Sequence, residues 1–303
     1  MNILWLSDYK ASDHIGGAEL SNEALLQATP SDFSVEHIHV HRLDSTLLEQ
    51  ITPNLIIVDS ITRLSRPNLL LDWFEQTPYL SIEYDYNKVS RTRNLLQPGN
   101  RYLKAQSKWC RFHHRFWTHP NRKHSFFMST SQMMIHYWLL AQAQLPIDHT
   151  TWSVLSSVFS CATFELIDRL LAEKGGGTIQ IEDSYLIFDT PNRLKGTREG
   201  IEYAEQMGLA YELFSGLDHE QLLRKMIRHK GLIHLPTMHD TCPRIVLEAA
   251  MLGLDVITNN LAQHTPEAWY DLKDRERIRD HLAGRARHFW EQVRCLETPS
   301  RPT

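Results

Sequence analysis

Two carboxylates lie eight residues apart in the segment Gly231–Asn260, at Asp240 and Glu248. An apolar run ends shortly before Asp240, and Glu248 falls two turns into a predicted helix. Because open parallel sheets bind ligands at the carboxyl ends of their strands, we expect both side chains to face a ligand there. Carboxylates accept hydrogen bonds from sugar hydroxyls, and amides at a helix start can face a phosphate. The spacing therefore predicts a site for a phosphorylated sugar.

Each of the two acids has a different alternative role. Asp240 could simply cap the helix that follows it. Glu248 lies in the apolar stretch IVLEAAML, where an unpaired carboxylate would be costly. We therefore expect Glu248 to have a polar partner or a ligand.

A basic turn precedes a second predicted helix, at Asn192–Gly196. A lysine followed by glycine at a strand-to-helix junction brings positive charge and free amides together, which suits a diphosphate. Arg193 and Lys195 are the predicted diphosphate ligands, and a solvated turn lysine is the alternative. Ser157, near the end of a predicted strand, is expected to reach the same site.

Gly16 and Gly17 stand between the first predicted strand and the first predicted helix. Glycines at such a junction let the backbone approach a ligand, and the helix start offers amides to an anion. A glycine turn needed only for tight packing is the alternative. The pair predicts a second contact to phosphate.

Short apolar runs alternate with helical patterns along the whole chain, which indicates parallel βα units. The predicted strands are Ile3–Ser7, Val35–Val40, Leu55–Asp59, Tyr79–Ile82 and Ser125–Ser129, and then Trp152–Phe159, Tyr185–Asp189, Ala210–Phe214, Gly231–Leu235 and Asp255–Thr258. The predicted helices include Ala18–Ala28, Cys161–Glu173, Thr197–Gln206, His219–Arg228, Arg244–Leu252 and Arg275–Val293. This order predicts two doubly wound domains, residues 1–148 and 149–303, with the last helix returning to the first domain.

The carboxylate pair, the small-residue helix, the glycine and the next strand resemble the donor-binding signature of family 4 glycosyltransferases, and the GGAE turn is similar to theirs. This sequence has Asp240 where that family has Glu. The resemblance implies an α/β GT-B fold, two Rossmann-like domains facing across a cleft, and sugar transfer with retention and without a required metal or other cofactor. It implies that Glu248 binds the nucleotide ribose and that Asp240 contacts the donor sugar. The expected donor-binding residues are Gly16, Gly17, Ser157, Arg193, Lys195, Asp240, Thr241, Cys242, Pro243, Arg244 and Glu248.

The family usually shows a histidine after a strand of the first domain, and the comparable place here reads Ser81–Tyr86 with Tyr84 in the histidine position. Glu83 or Asp85 could act as base toward an acceptor hydroxyl. We therefore assign Glu83, Asp85 and Asp240 as candidate catalytic residues. A metal site of a GT-A enzyme formed by Glu83 and Asp85 is the alternative.

A basic block covers residues 86–147, which contain ten Lys or Arg and no Asp or Glu, whereas the rest of the chain carries 22 basic and 36 acidic residues. Such a block indicates a polyanionic partner. The predicted acceptor-binding residues are Arg91, Arg93, Lys104, Lys108, Arg111, Arg115, Arg122 and Lys123. By resemblance to phage enzymes that glycosylate their own genomes, the expected acceptor is a 5-hydroxymethylpyrimidine in DNA, favoured over an anionic membrane or surface glycan.

Aromatic residues interleave with the charges of this block at Trp109, Phe112, Phe116 and Trp117. Such interleaving occurs in surfaces that track a phosphate backbone and stack on bases. A solvated helix with an aromatic core stripe is the alternative. Zinc binding by Cys110 with His113, His114 and His119 is a further alternative, although it offers no second ligand pair at standard spacing.

Other classes differ in features that can be checked. A non-catalytic nucleic-acid-binding protein with a degenerate transferase fold would keep the basic block but would not bind sugar nucleotides. A nucleotide-sugar epimerase would require GxxGxxG and Tyr-x-x-x-Lys, and neither occurs in a suitable context. The four distant cysteines and the short first apolar run suit a reducing cytoplasm, that of the host for a phage-encoded protein.

Overall fold

A computed structural model describes residues 1–13, 15–89 and 108–296 of the chain, with the side chains of residues 108–110 left aside. The chain forms two compact units. The first contains Met1–Ser156 and Ala286–Thr303, and the second contains Ser157–Arg285. Within the described part of the chain, no helix is long and apolar enough to cross a membrane.

The first unit is built on a six-stranded parallel sheet in the order β2-β1-β3-β4-β5-β6. Its strands are β1 (Asn2–Ser7), β2 (Ser34–His39), β3 (Leu55–Val58), β4 (Tyr79–Glu83), β5 (Arg122–Phe127) and β6 (Trp152–Val154). Its intervening helices are α1 (Gly17–Gln27), α2 (Leu47–Ile51), α3 (Pro67–Gln76), α4 (Lys108–Thr118) and α5 (Thr130–Gln142). Every residue of β3 and β4 is buried, as expected for central parallel strands covered on both faces.

The strand at Trp152 corrects the sequence-based interpretation. Trp152–Phe159 was predicted as the first strand of the second domain, but β6 pairs with β5 through Ser125 and Trp152, and the first unit extends to Ser156. An apolar run predicts that a segment is extended. It does not specify which sheet edge supplies its hydrogen bonds, because that partner lies far away in sequence.

The second unit is built on a four-stranded parallel sheet in the order β10-β9-β7-β8. Its strands are β7 (Glu182–Phe188), β8 (Tyr211–Phe214), β9 (His229–His234) and β10 (Asp255–Thr258). Its helices are α6 (Cys161–Gly175), α7 (Thr197–Met207), α8 (His219–Met226), α9 (Arg244–Met251) and α10 (Arg275–Ala283). The loops that follow β7 and β9 lie at the carboxyl edge of this sheet.

The predicted helix Arg275–Val293 is divided at Gly284 into α10 and a last helix, α11 (Arg285–Cys295). From Ala286 onward, α11 belongs to the first unit. There the Trp290 Nε1 donates a hydrogen bond to the Leu25 carbonyl at 2.8 Å, and the Trp290 ring lies 6.4 Å from the Trp5 ring. The buried indole thus attaches the end of the chain to α1 and β1.

Candidate functional site

Asp240 lies in the loop after β9, and its carboxylate is 5% exposed. Its Oδ2 is 2.8 Å from the Lys195 Nζ and 3.0 Å from the His234 Nε2. Asp240 does not cap α9, because Pro243 occupies the N-cap position without a side-chain bond. Both contacts are made by Oδ2, so the geometry leaves Oδ1 as an acceptor for a ligand hydroxyl.

The charge state of Asp240 depends on these partners. Burial alone would raise the pKa of the Asp240 carboxyl, but the Lys195 charge and the His234 hydrogen bond lower it below its ordinary value. Asp240 is therefore an anion, and a hydrogen-bond acceptor, at neutral pH.

The turn that carries Lys195 packs closely against the loop after β9. Gly196 has φ +71°, and a Cβ atom there would lie 1.7 Å from the Leu235 carbonyl oxygen. The Thr237 amide donates to the Leu194 carbonyl at 3.0 Å. Only glycine fits this approach, and the approach brings Lys195 within reach of Asp240.

Glu248 lies on α9 and is 2% exposed. Its Oε1 is 2.9 Å from the His219 Nε2 and 3.7 Å from the Arg244 Nη2. Burial alone would raise the pKa of Glu248, but the His219 hydrogen bond and the charges of His219 and Arg244 lower it. The partner expected for this acid is therefore present, and it includes a histidine that the sequence-based interpretation did not identify.

The loop before α9 supplies fewer phosphate donors than expected. Pro243 has no amide hydrogen, and the Arg244 amide donates to the Cys242 carbonyl at 2.8 Å. The Arg244 guanidinium lies 4.0 Å from the centre of the Phe159 ring and also donates to the Val158 carbonyl. In this structure Arg244 packs beneath the loop and balances the charge of Glu248.

The remaining predicted donor-binding residues of the second unit lie in the loop before α9, beside that loop, or in the turn that carries Lys195. The Ser157 Oγ lies 3.1 Å from the Cys242 Sγ, and burial raises the pKa of the Cys242 thiol. Thr241 is buried in the same loop, and Arg193 is exposed in the turn before Lys195. The structure thus gathers Ser157 and the Thr241–Arg244 loop around α9, and places Arg193 beside Lys195.

In the first unit, α1 begins at Gly17 after the carboxyl end of β1. Gly16 is its N-cap, with φ −133° and no side-chain cap bond. This extended conformation is open to any residue, so it does not by itself require glycine. Gly16 lies at the helix start as predicted. The phosphate contact stays a prediction, and the need for backbone freedom at Gly16 is not supported.

The Glu83 carboxylate is buried and ion-paired. Its side chain is 1% exposed and lies 3.0 Å from the equally buried Lys88 Nζ, and burial raises the pKa of the Glu83 carboxyl. The Glu83 carboxylate is already balanced by this ammonium, which disfavours both its role as base and the metal site shared with Asp85. Asp85 is half-buried, and its Oδ1 accepts a hydrogen bond from the Asn87 amide at 2.8 Å. Asp85 is the more exposed acid of this pair, and its role as base stays a prediction.

The predicted acceptor residues fall into three groups. Arg91, Arg93 and Lys104 lie outside the described residues, as does the side chain of Lys108. The exposed group is Arg111, Arg115 and Lys123, with Arg115 3.2 Å from Glu75. Arg122 is largely enclosed and donates to the Trp117 carbonyl at 3.1 Å and to the Ser125 Oγ at 3.0 Å. Arg122 therefore serves the fold, which corrects its assignment to the acceptor surface.

Three aromatic side chains of α4 are part of the core, and the side chain of Trp109 lies outside the described residues. Phe112, Phe116 and Trp117 are all buried, and the Phe116 ring packs 5.4 Å from Tyr79. They cannot stack on an exposed base in this structure, so the core-stripe alternative is confirmed for these three residues. Phe112 and Phe116 are four residues apart, which is the signal for one buried face of a helix, and Trp117 follows directly on Phe116.

The histidines of the basic block do not form a metal site within the described residues. His113 and His119 are buried, and the His119 Nε2 lies 3.3 Å from the Glu75 carboxylate. Neither histidine belongs to a group of three possible metal ligands among the described side chains.

No protein-family model and no curated protein sequence matches the chain. Solved structures match it over nearly its whole length. Anabaena HepE in complex with UDP and glucose has a TM-score of 0.56 at 11% identity, covering 97% of this chain and 100% of that chain. An E. coli trehalose-6-phosphate synthase bound with UDP-2-fluoro glucose has a TM-score of 0.57 at 9% identity, covering 97% and 95%.

A third match is an α-glucosyltransferase in complex with UDP-glucose and DNA containing an abasic site, with a TM-score of 0.55 at 9% identity, covering 97% of this chain and 92% of that chain. At such low identities the likeness concerns the fold. The chain has the α/β GT-B fold, with Rossmann-like parallel sheets of six and four strands.

Proposed function

We propose that the protein is a nucleotide-sugar-dependent glycosyltransferase whose donor binds at the carboxyl edge of the second unit's sheet. The observation that carries this proposal is the pair of buried acids, Asp240 and Glu248. Each is held as an anion by one histidine and one cationic side chain. Lys195 stands on a glycine turn beside them. Anionic acceptors next to a lysine match the hydroxyls and the diphosphate of a sugar nucleotide.

The proposed roles follow from these positions. Lys195 and Arg193 neutralise the diphosphate, Glu248 accepts from the ribose, and Asp240 accepts from a sugar hydroxyl. The Lys195 ammonium has three hydrogens, and one is directed to Asp240. Two donors therefore remain for phosphate oxygens without breaking the ion pair.

The reaction exchanges one bond at the anomeric carbon. The acceptor oxygen forms a bond to this carbon, the bond to the diphosphate oxygen breaks, and the acceptor proton leaves to a base or to the departing phosphate. The diphosphate takes the electron pair, so the positive charge of Lys195 stabilises it as it leaves. Retention of configuration is proposed from the resemblance to family 4.

The donor site is tested by substituting Glu248→Gln and Lys195→Ala, with Glu202→Gln and Lys230→Ala as controls. The control residues are ion-paired on the exposed surface of the same unit. A panel of nucleotide sugars identifies the donor by the rise in Tm that it causes. We expect each site variant to weaken donor binding about tenfold or more, since charged hydrogen bonds contribute roughly 1.5–3 kcal/mol.

Both controls should bind the donor like the wild type. Wild-type turnover in both site variants would contradict the assignment. A folded wild-type protein whose Tm responds to no nucleotide sugar would contradict the proposed function itself.

We further propose that the acceptor is a 5-hydroxymethylpyrimidine in DNA. The 62-residue basic block and the fold shared with an α-glucosyltransferase solved with DNA support this proposal. Among the described side chains, Arg111, Arg115 and Lys123 are exposed to meet phosphates. With Phe112, Phe116 and Trp117 buried, we propose that binding rests on charge.

Charge-based binding predicts a steep salt dependence. Affinity for duplex DNA should fall with salt, because each neutralised phosphate releases counterions. Arg111→Ala should reduce the slope of log K against log salt by about 1 and leave donor affinity unchanged. Arg287→Ala is the control, because Arg287 is an exposed arginine outside the basic block.

Two measurements decide the acceptor. If the protein fails to bind DNA at low salt, or transfers no sugar to hydroxymethylated duplex, the DNA hypothesis is wrong. Co-sedimentation with anionic liposomes would then indicate a membrane or glycan acceptor.

A further inference from the structure

Three possible metal ligands meet at the amino edge of the four-stranded sheet, opposite the edge that carries Asp240. Glu182 is the first residue of β7, Glu212 is the second residue of β8, and His229 is the first residue of β9. Their ligand atoms all lie within 4.8 Å of one another. Three neighbouring strands thus contribute one ligand each.

The spacing of these atoms suits a single ion. The His229 Nε2 is 2.9 Å from a Glu212 oxygen and 3.6 Å from a Glu182 oxygen. Nitrogen and oxygen ligands placed tetrahedrally at about 2.1 Å from zinc are about 3.4 Å apart. The observed separations lie on either side of that value, so an ion could enter with small side-chain movements.

The hydrogen bonds of His229 fix which of its ring nitrogens faces the two carboxylates. Its Nδ1 lies 2.9 Å from the Lys225 carbonyl, which can only accept, so Nδ1 carries a hydrogen. Nε2 is therefore the ring nitrogen that faces Glu212 and Glu182 and that could bind an ion between them. Histidines that bind metals show this same bond from the other ring nitrogen to a carbonyl.

The surrounding structure orients both carboxylates. Pairing between β7 and β9 runs from Glu182 with His229 to Tyr185 with Gly231, so β7 has one extra residue. Such a bulge re-aims a side chain. The Lys225 Nζ lies 2.5 Å from the Glu212 Oε1, and this leaves the Glu212 Oε2 directed at His229.

We propose that Glu182, Glu212 and His229 bind a divalent ion of the zinc type. One imidazole nitrogen and two carboxylate oxygens favour Zn²⁺ over Mg²⁺, which prefers oxygen ligands alone. His229 is 2% exposed, whereas the two glutamates are half exposed and leave a path for the ion. The ion would tie β7, β8 and β9 together and take no part in sugar transfer.

The test titrates the full-length protein with ZnCl₂ and, separately, with MgCl₂, following heat of binding and Tm. We expect about one Zn²⁺ per chain, a Tm that rises with zinc concentration, and no comparable effect of Mg²⁺. Glu182→Gln and His229→Gln should each weaken zinc binding at least tenfold. Glu182 is exposed, so its variant should fold even where the His229 variant does not.

Glu220→Gln is the matched control, since Glu220 is an exposed, ion-paired glutamate of the same unit. It should bind zinc like the wild type. Absence of zinc binding to the wild type, or binding unchanged in Glu182→Gln, would overturn the proposal. A Tm that changes with pH but not with zinc concentration would show that a proton on His229, rather than a metal ion, lies between the carboxylates. That result would also overturn the proposal.

Discussion

Asp240 and Glu248 show how two buried acids of the proposed donor site are kept charged. Each accepts from a histidine and lies near a cationic side chain, Lys195 in one case and Arg244 in the other. The need of Glu248 for a partner was predictable, because a carboxylate in an apolar stretch needs one. The histidines were not, because His219 meets Glu248 only through the packing of α8 beside α9.

His219 is expected to act as a positioning residue for Glu248. His219→Ala removes the hydrogen bond of a buried carboxylate, which should lower the free energy of unfolding by roughly 1–3 kcal/mol. Donor affinity should fall about tenfold, because Glu248 would lose the orientation needed to accept from a ribose hydroxyl. Urea unfolding and titration with the identified donor measure the two effects.

The side chain of glutamine can also donate, so His219→Gln should recover part of the donor affinity. His41→Ala, at an exposed histidine of the first unit, should change neither quantity. If His219→Ala lowers stability but leaves donor affinity at the wild-type value, the positioning role is wrong and His219 serves only the fold.

At the scale of elements, the two glycines that flank α7 have different roles. One allows the backbone to approach the loop after β9 closely, and the other only ends the helix. Gly196 has φ +71° and meets the Leu235 carbonyl, whereas Gly208 has φ +65° with nothing within 4 Å of its added Cβ. Gly208→Ala should cost about 1–2 kcal/mol of unfolding free energy, the penalty for a left-handed L-residue. Gly196→Ala adds a backbone clash and should cost more than about 4 kcal/mol.

Urea unfolding of the two variants provides the comparison. Donor binding should survive in Gly208→Ala and be lost in Gly196→Ala, since only the latter displaces the Lys195 turn. If the two variants lose the same stability and bind the donor equally well, the Lys195 turn does not need its close approach to Leu235 in the loop after β9.

The sequence predicted most elements of both sheets. Asp255–Thr258 was predicted with its observed bounds, and Tyr79–Ile82 differs from β4 by one residue. These strands are recognisable because apolar runs and turn residues are local signals. The partner of Trp152 and the burial of Glu83 beside Lys88 depend on contacts between distant segments, so local patterns could not reveal them.

α4 shows a local signal with two interpretations. Interleaved cations and aromatics are compatible with a base-stacking surface or with an aromatic core stripe, and the structure places Phe112, Phe116 and Trp117 in the core with Arg111 and Arg115 outside. Helical periodicity favours that division, since residues four apart share a face. The composition of α4 predicts a polyanionic partner. Its helical periodicity predicts which of its side chains are exposed and could contact that partner.

At the scale of the whole molecule, the distribution of charge bears on whether sugar transfer needs a metal. Positive charge for the diphosphate is available from Lys195 and Arg193, beside the two acids at the carboxyl edge of the second sheet. In the first unit, the Glu83 carboxylate of the alternative metal pair is already occupied by Lys88. We therefore propose that transfer requires no divalent ion.

Removal of metal ions by a chelator tests this proposal. EDTA should leave the rate of transfer unchanged, although it would strip an ion held by Glu182, Glu212 and His229 and so lower Tm. The assay is therefore run far below the Tm of the chelated protein, where both preparations are folded. The zinc ligands lie at the amino edge of the sheet and Lys195 at the carboxyl edge, so stability and turnover should respond independently. Turnover abolished by EDTA and restored by Mn²⁺ or Mg²⁺ would show that a metal, rather than Lys195 with Arg193, carries the charge of the leaving diphosphate.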